Sequence, residues 1–174
     1  MGKLETWDMV GAYPICPNCN KRDVVRDAWT SWSMAEQDWL LKATFDHFQC
    51  DACGEAITPQ WQVGKEFRKK RIRRLNDALR RGEGANATVV VTAGVQAMGQ
   101  EFQEEVCRAV AAFTDFSADN DPFREHDFGQ VMIAGEKLFF KIDYYDLKMQ
   151  NLSLDPASDR ITHRVLTIML AREY

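Results

Sequence analysis

The sequence has no apolar run approaching the roughly 18 residues that a membrane-crossing helix needs. Its first residues, MGKLETWDMV, hold no apolar stretch of the signal-peptide kind. It contains no HExxH, no GxxxxGK[ST] and no recognisable pairing of a cysteine nucleophile with a histidine. That removes the sequence grounds for a zincin protease, a P-loop nucleotidase or a cysteine hydrolase. A complete disulfide set is lacking too, because five cysteines leave one over. Together these absences lead us to expect a soluble, cytoplasmic protein with no membrane attachment, in a compartment that keeps thiols reduced.

Four of the five cysteines stand in two identically spaced pairs, Cys16-Pro17-Asn18-Cys19 and Cys50-Asp51-Ala52-Cys53. A tight CxxC turn can aim both sulfurs at one ion, and four thiolates complete the tetrahedral shell of Zn²⁺ with no open position. The spacing predicts one structural zinc ion that clamps two knuckles together. His47 lies three residues before Cys50 and is expected at the surface or beside the metal shell. Between the knuckles stand Trp29, Trp32 and Trp39 with Leu40, Leu41, Phe45 and Phe48. They predict two or three short antiparallel strands with a turn near Ser33–Gln37, a zinc-ribbon plan over 10–58. The tryptophans are expected to supply packing area, in the core or on a strand face, in a module with little interior. Stacking on nucleic-acid bases is the other use of such rings.

Residues 55–66 read as a connector, broken by Pro59 and Gly64. The segment FRKKRIRRLNDALRR (67–81) then carries Ile72, Leu75 and Leu79 at helical spacing and eight Lys or Arg residues. Gly82 and Gly84 should stop this helix. The basic segment 65–81 is either a phosphate-contacting element, with Arg68, Lys69, Arg73 and Arg74 as candidates, or the solvated first helix of the next domain. Residues 1–81 carry 14 Lys/Arg against 11 Asp/Glu, a balance of +3, whereas residues 82–174 carry 8 against 15, a balance of −7.

The remainder, 82–174, predicts a small acidic α+β domain. ATVVVTA (87–93) reads as a buried strand, and Phe102, Val106, Ala109, Val110 and Phe113 mark one face of a helix over about 99–113. Cys107 flanks that face and is expected to be a buried, packed thiol. Phe128–Ile133 and Lys137–Tyr144 predict a hairpin. Val165–Ala171 suits a strand or a short helix, and periodicity leaves both open. The chain as a whole therefore reads as α+β: a ribbon of short antiparallel strands, then a small α+β domain with a hairpin.

Chemistry, if the chain has any, is expected in residues 125–146. His126, Asp127, Asp143 and Asp146 have the composition of a hydrolytic metal site or an acid–base pair, although adjacent residues such as His126 and Asp127 face opposite ways in an extended chain. Loop-capping is the plainer role for the same side chains.

The blocks VVVTAGV (89–95), FTDFSADNDPFREHDFG (113–129), GEKLFFKIDYYD (135–146), DPA (155–157) and THRVLTIMLAREY (162–174) resemble an alphaproteobacterial family of uncharacterised proteins found on conjugative plasmids and other mobile elements. The resemblance covers roughly 72–174. The family pattern usually has Gly where Arg124 stands and Trp where Phe140 stands. The resemblance implies a role in mobile-element biology, in plasmid maintenance, regulation or interference with host defence, and implies no substrate. The expected function is thus a zinc-binding regulatory or interaction protein. It would engage nucleic acid through the basic helix, or a protein partner through the acidic domain. A hydrolytic enzyme using the 125–146 cluster is the alternative.

Overall fold

The computed structural model describes residues 9–174, and the expectation about the N-terminal stretch MGKLETWD falls outside them. The chain divides into two compact units, up to Gly64 and from Lys65 onward.

The first unit is built from strands alone. β1 (Ala12–Ile15) pairs antiparallel with β5 (Gln60–Val63). A long hairpin joins β2 (Val24–Ser33) to β3 (Asp38–Cys50), and β4 (Ala56–Ile57) adds to the far side of β3. The stretch 55–66, expected as a connector, thus holds β4, β5 and the start of a helix. Gln37 closes the hairpin turn with a positive φ of 53°. Of the two packing roles expected for the tryptophans, core or strand face, the hairpin shows the second. Trp29, Trp32 and Trp39 are 64%, 47% and 61% exposed, so they do not fill an interior. They pack only along the strands: Trp32 meets Trp39 edge-on at 5.6 Å, and Trp29 meets Phe45 edge-on at 4.9 Å. Over most of its length the β2–β3 hairpin has no second layer on it among the described residues.

The second unit is a two-layer α+β domain. Its elements are α1 (Lys65–Arg80), β6 (Ala87–Val91), α2 (Ala93–Ala97), α3 (Gln100–Ala112), β7 (Phe128–Ile133), β8 (Glu136–Tyr145), β9 (His163–Leu170) and a closing 3-10 turn (Ala171–Glu173). The sheet order is β6-β9-β8-β7, with β6 parallel to β9 and the other pairings antiparallel. The segment 165–171, left open between strand and helix, is therefore the inner strand β9. It is buried on both faces, and this explains its nearly continuous apolar run.

One face of the sheet presents Val131, Ile133, Leu138, Phe140, Ile142, Leu166, Ile168 and Leu170 at strict two-residue intervals. Leu79 of α1, Val95 of α2 and Phe102, Val106 and Val110 of α3 close over it. Burying a side chain of this kind contributes about 1.5–3 kcal/mol, so this cluster is the main stabilising feature of the unit. The β7–β8 turn is Ala134-Gly135, both with positive φ, which is the two-residue turn that matches strand twist.

Gly82, at φ 77°, ends α1 as expected. Its N–H donates to the Leu79 carbonyl, and the Glu83 N–H reaches back to Ala78, so two otherwise orphaned carbonyls gain partners. The buried face of α1 is more polar than the apolar spacing suggested. Ile72 and Leu79 are buried, but so are Asn76 and Arg80, while Leu75 is only half-buried. Cys107 corrects another expectation. It lies on the exposed flank of α3, one residue past the buried stripe of Phe102, Val106 and Val110. Among the described residues no helix is long and apolar enough to cross a membrane.

Candidate metal centre and the histidine cavity

The two knuckles are near copies in backbone as well as sequence. The Asn20 N–H donates to the Cys16 carbonyl and the Gly54 N–H to the Cys50 carbonyl. One residue on, the Lys21 and Glu55 carbonyls accept the Cys16 and Cys50 N–H groups. Asn20 (φ 58°) and Gly54 (φ 76°) adopt the left-handed conformation that each turn demands, and these are residue types that tolerate it. The four sulfurs of Cys16, Cys19, Cys50 and Cys53 all lie within 4.8 Å of one another. Cys16 and Cys53 approach to 3.8 Å, Cys19 and Cys50 to 3.6 Å. A tetrahedron with metal–sulfur bonds of about 2.3 Å has edges of about 3.8 Å, so the cluster is sized for one ion.

The ionisation of the thiols is compatible with a cation at this site. At Cys16 burial opposes ionisation, yet backbone N–H groups of Cys19 and Asn18 and the neighbouring thiols pull it down to about 7. At Cys53 a backbone hydrogen bond from Glu55 favours the thiolate, but burial and the sulfurs of Cys50, Cys16 and Cys19 outweigh it and push it up to about 12. The first thiolate forms readily and the last is opposed by its neighbours, an opposition that a divalent cation removes. His47 is exposed and outside the cluster.

The second unit assembles a different set of groups. His126 sits in the loop before β7, and its Nδ1 meets Asp77 Oδ1 of α1 at 2.8 Å. Its ring lies flat on Phe116, with centroids 3.7 Å apart. Asp77 Oδ1 also accepts a 2.6 Å hydrogen bond from Arg80, whose guanidinium donates further to the Val110 and Phe113 carbonyls. Burial alone would raise the Asp77 carboxyl, but the hydrogen bonds from Arg80 and His126 hold it below its ordinary range. Nε2 of His126 faces Asp121 Oδ2 at 3.9 Å, beyond hydrogen-bond reach. Asp121 is itself buried and accepts the Glu125 N–H. Glu125 and Asp127 are both raised by burial, with repulsion from neighbouring carboxylates adding to it.

Of the residues singled out in the sequence, His126 is thus in a structured site, but not with the expected partners. Asp143 pairs with Lys141 at 2.8 Å. Asp146 organises the turn after β8 by accepting from the Gln150 N–H and from Asn151. Asp127 contributes its carbonyl to the Ile142 N–H. No hydrogen bond or ion pair joins His126 to Asp127, Asp143 or Asp146 among the described residues. Of the residues that do meet it, Asp121 stands just before the cluster in sequence, whereas Asp77 and Phe116 escape a sequence reading. Asp77 stands 49 positions away, and its only mark is being a lone acid within a run of cations.

The basic helix divides in the same way. Arg68 is turned inward against the fully buried Asp155, at 2.7 Å, and Arg71 pairs with Asp159 at 3.1 Å. Lys69 and Arg73 share a polar cleft with Lys70 and Arg124, and Arg74 is exposed. Arg124 has φ 60°, in keeping with a turn that favours glycine.

Comparison with known proteins adds one likeness. Residues 91–173 match a family described as "Protein of unknown function (DUF3768)". No curated protein and no solved structure matches the chain.

Proposed function

We propose that this chain is a non-enzymatic interaction protein whose first unit, held together by one structural zinc ion at Cys16, Cys19, Cys50 and Cys53, presents the β2–β3 hairpin to a protein partner. The observation that carries this reading is the exposure of large rings on both faces of the hairpin. Trp29 and Trp32 are three positions apart on one strand, so they point to opposite sides. Leu41 and Met34 are exposed with them, at 66% and 76%. Exposed Trp clusters of this kind are the usual anchors of protein interfaces. The charge on the hairpin argues against a polyanion as occupant: Asp27, Glu36, Asp38 and Asp46 outnumber Arg26 and Lys42. The resemblance to proteins of mobile elements extends the proposal to a partner encoded by such an element or its host.

The experiment compares wild type with a Trp29→Ser/Trp39→Ser variant in affinity capture from a host lysate treated with nuclease. A discrete protein retained by the wild type, absent with the variant and insensitive to nuclease, is the expected result. Zinc content must stay at one per chain in both, which separates loss of the contact from loss of the fold. Retention that disappears with nuclease would move recognition to nucleic acid and overturn the reading.

A further inference from the structure

A stripe along α1 leads from cations to the histidine site. Lys69, Lys70, Arg73 and Asp77 recur at three- and four-residue steps and so share one side of the helix. Arg73, together with Arg124 from the loop before β7, lines two adjoining cavities. The smaller, about 120 Å³, also meets Lys69 and Lys70. The larger, about 340 Å³, is floored by His126 and Phe116 and walled by Pro122 and Asp121. That is within the range of about 300–1,000 Å³ typical of small-molecule sites.

We propose that this double cavity binds a phosphate monoester of a small organic molecule, with Arg73 and Arg124 as the paired grips on the phosphate. This goes beyond the hairpin reading and does not depend on it. The first ground is availability. Arg68, Arg71 and Arg80 are committed to internal partners, whereas neither Arg73 nor Arg124 has an ion pair or a side-chain hydrogen bond among the described residues. Two unpaired guanidinium forks converging on one space are suited to a tetrahedral oxyanion.

The second ground is charge balance. Around the two cavities Lys69, Lys70, Arg73 and Arg124 stand against Glu66 and Asp121, which leaves two positive charges. A phosphate monoester is close to a dianion at neutral pH. A carboxylate would neutralise half of that charge, and a cation is repelled.

The third ground is the backbone. Arg124 and His126 both hold left-handed φ values, 60° and 58°, uncommon outside glycine, and more so for Arg124 because histidine tolerates this region better. The loop is locked there by three hydrogen bonds: Arg124 N–H to the Asp121 carbonyl, Glu125 N–H to the Asp121 carboxylate, and Asn76 to the Glu125 carbonyl. Strain that the surroundings enforce this firmly is typical of a binding loop. With Nδ1 tied to Asp77 and its ring flat on Phe116, His126 is a fixed floor.

Calorimetry on the full, zinc-loaded chain tests the proposal with three probes: inorganic phosphate, a nucleoside 5′-monophosphate, and a short single-stranded oligonucleotide with no terminal phosphate. The expected result is saturable binding of one monophosphate per chain, weaker binding of inorganic phosphate and weaker binding of the oligonucleotide. Arg73→Gln and Arg124→Gly should each lower monophosphate affinity about tenfold or more, as loss of a charged hydrogen-bonding group does. Glycine suits the φ at 124, so the second variant removes the charge without threatening the fold. Arg74→Gln, an exposed cation on another side of α1, should change nothing. Three results would overturn the proposal. The first is no monophosphate binding up to millimolar concentration. The second is an equal loss with Arg74→Gln. The third is tighter binding of the unphosphorylated oligonucleotide, which would mark the stripe as a reader of nucleic-acid backbone.

Discussion

His126 and Asp77, 49 residues apart in sequence, are joined by a 2.8 Å hydrogen bond that ties the loop before β7 to α1. Asp77 serves two donors at once, because Arg80 reaches the same oxygen. Replacing it with Asn would leave a largely buried guanidinium and a half-buried imidazole without their anion. The expected cost is about 2 kcal/mol, the scale for losing a charged hydrogen-bonding partner.

The sign of the pH dependence follows from the lowered Asp77 carboxyl. Its contribution is fully present above the ordinary carboxylate range, about 3.9, and is lost as pH falls through the lower folded value. The difference in melting temperature between wild type and Asp77→Asn should therefore shrink on acidification below about pH 4. A difference that grows in acid would contradict this account.

Gly129 on β7 faces the helices, and a side chain there has nowhere to go. A Cβ would overlap the ring of Phe140 and come within 2.8 Å of Phe113. Phe140 is fully buried, so it has no outlet by which to yield. Gly129→Ala should destabilise the second unit by about 1–3 kcal/mol through overpacking. Combining it with Phe140→Leu should cost less than the sum of the two single changes, because the smaller side chain vacates the clash. Strict additivity in thermal unfolding would show that the strain lies elsewhere.

How much of this was legible in the sequence depends on the range of the interactions. The cysteine knuckles, the Gly82 stop and the β7–β8 hairpin rest on spacings of a few residues, and each is found close to its expected place. The second unit's site rests on long-range pairings. Asp77 with His126, Asn76 with Tyr144 and Arg68 with Asp155 each join residues far apart. No periodicity encodes them. The polar face of α1 misleads for the same reason: Asn76 is fully buried because Glu125, Tyr144 and Arg164 satisfy its amide. For the tryptophans composition leaves core and strand face open, and it is the strand-face packing that is found, with the rings largely exposed. Cys107 shows the limit of helical spacing, where one residue's rotation separates a buried thiol from an exposed one.

Metal removal can be followed unit by unit, because the five tryptophans all lie in residues 1–64 and, among the described residues, every helix lies in residues 65–174. With zinc bound, a thiol reagent should find about one reactive group per chain, Cys107, since the metal protects its own ligands. Partial desolvation by its neighbours on α3 holds that exposed thiol above its ordinary range, so labelling should be slow at neutral pH and faster in mild alkali. Chelation, or Cys50→Ser, should expose the remaining ligand thiols and change tryptophan fluorescence. The helical circular dichroism should survive. A parallel collapse of both signals would mean that the second unit does not fold independently of the first.

The C-terminal turn closes the second unit through one carboxylate. Glu173 accepts hydrogen bonds from the Thr92 hydroxyl at 2.7 Å, the Gly94 N–H at 2.9 Å and the Leu170 N–H at 3.0 Å. It thereby joins the end of β9 to the start of α2, just after the parallel strand β6. Thr92 is the largest influence lowering its carboxyl, with the Leu170 and Gly94 N–H groups assisting. A lowered carboxyl stabilises above its unfolded value and stops doing so as pH falls through the folded one. Glu173→Gln should thus lower the melting temperature at neutral pH and have little effect in strong acid, where the wild type has already lost the charge. Gly94 makes the clamp possible, since a Cβ there would stand 2.6 Å from Glu173 Oε1. Gly94→Ala should displace the carboxylate and reproduce the Glu173→Gln loss. The double variant should then be no worse than either single one, because both remove the same three bonds. Independent, additive losses in thermal melts would show that Gly94 and Glu173 act separately and that the clamp is not the unit that matters.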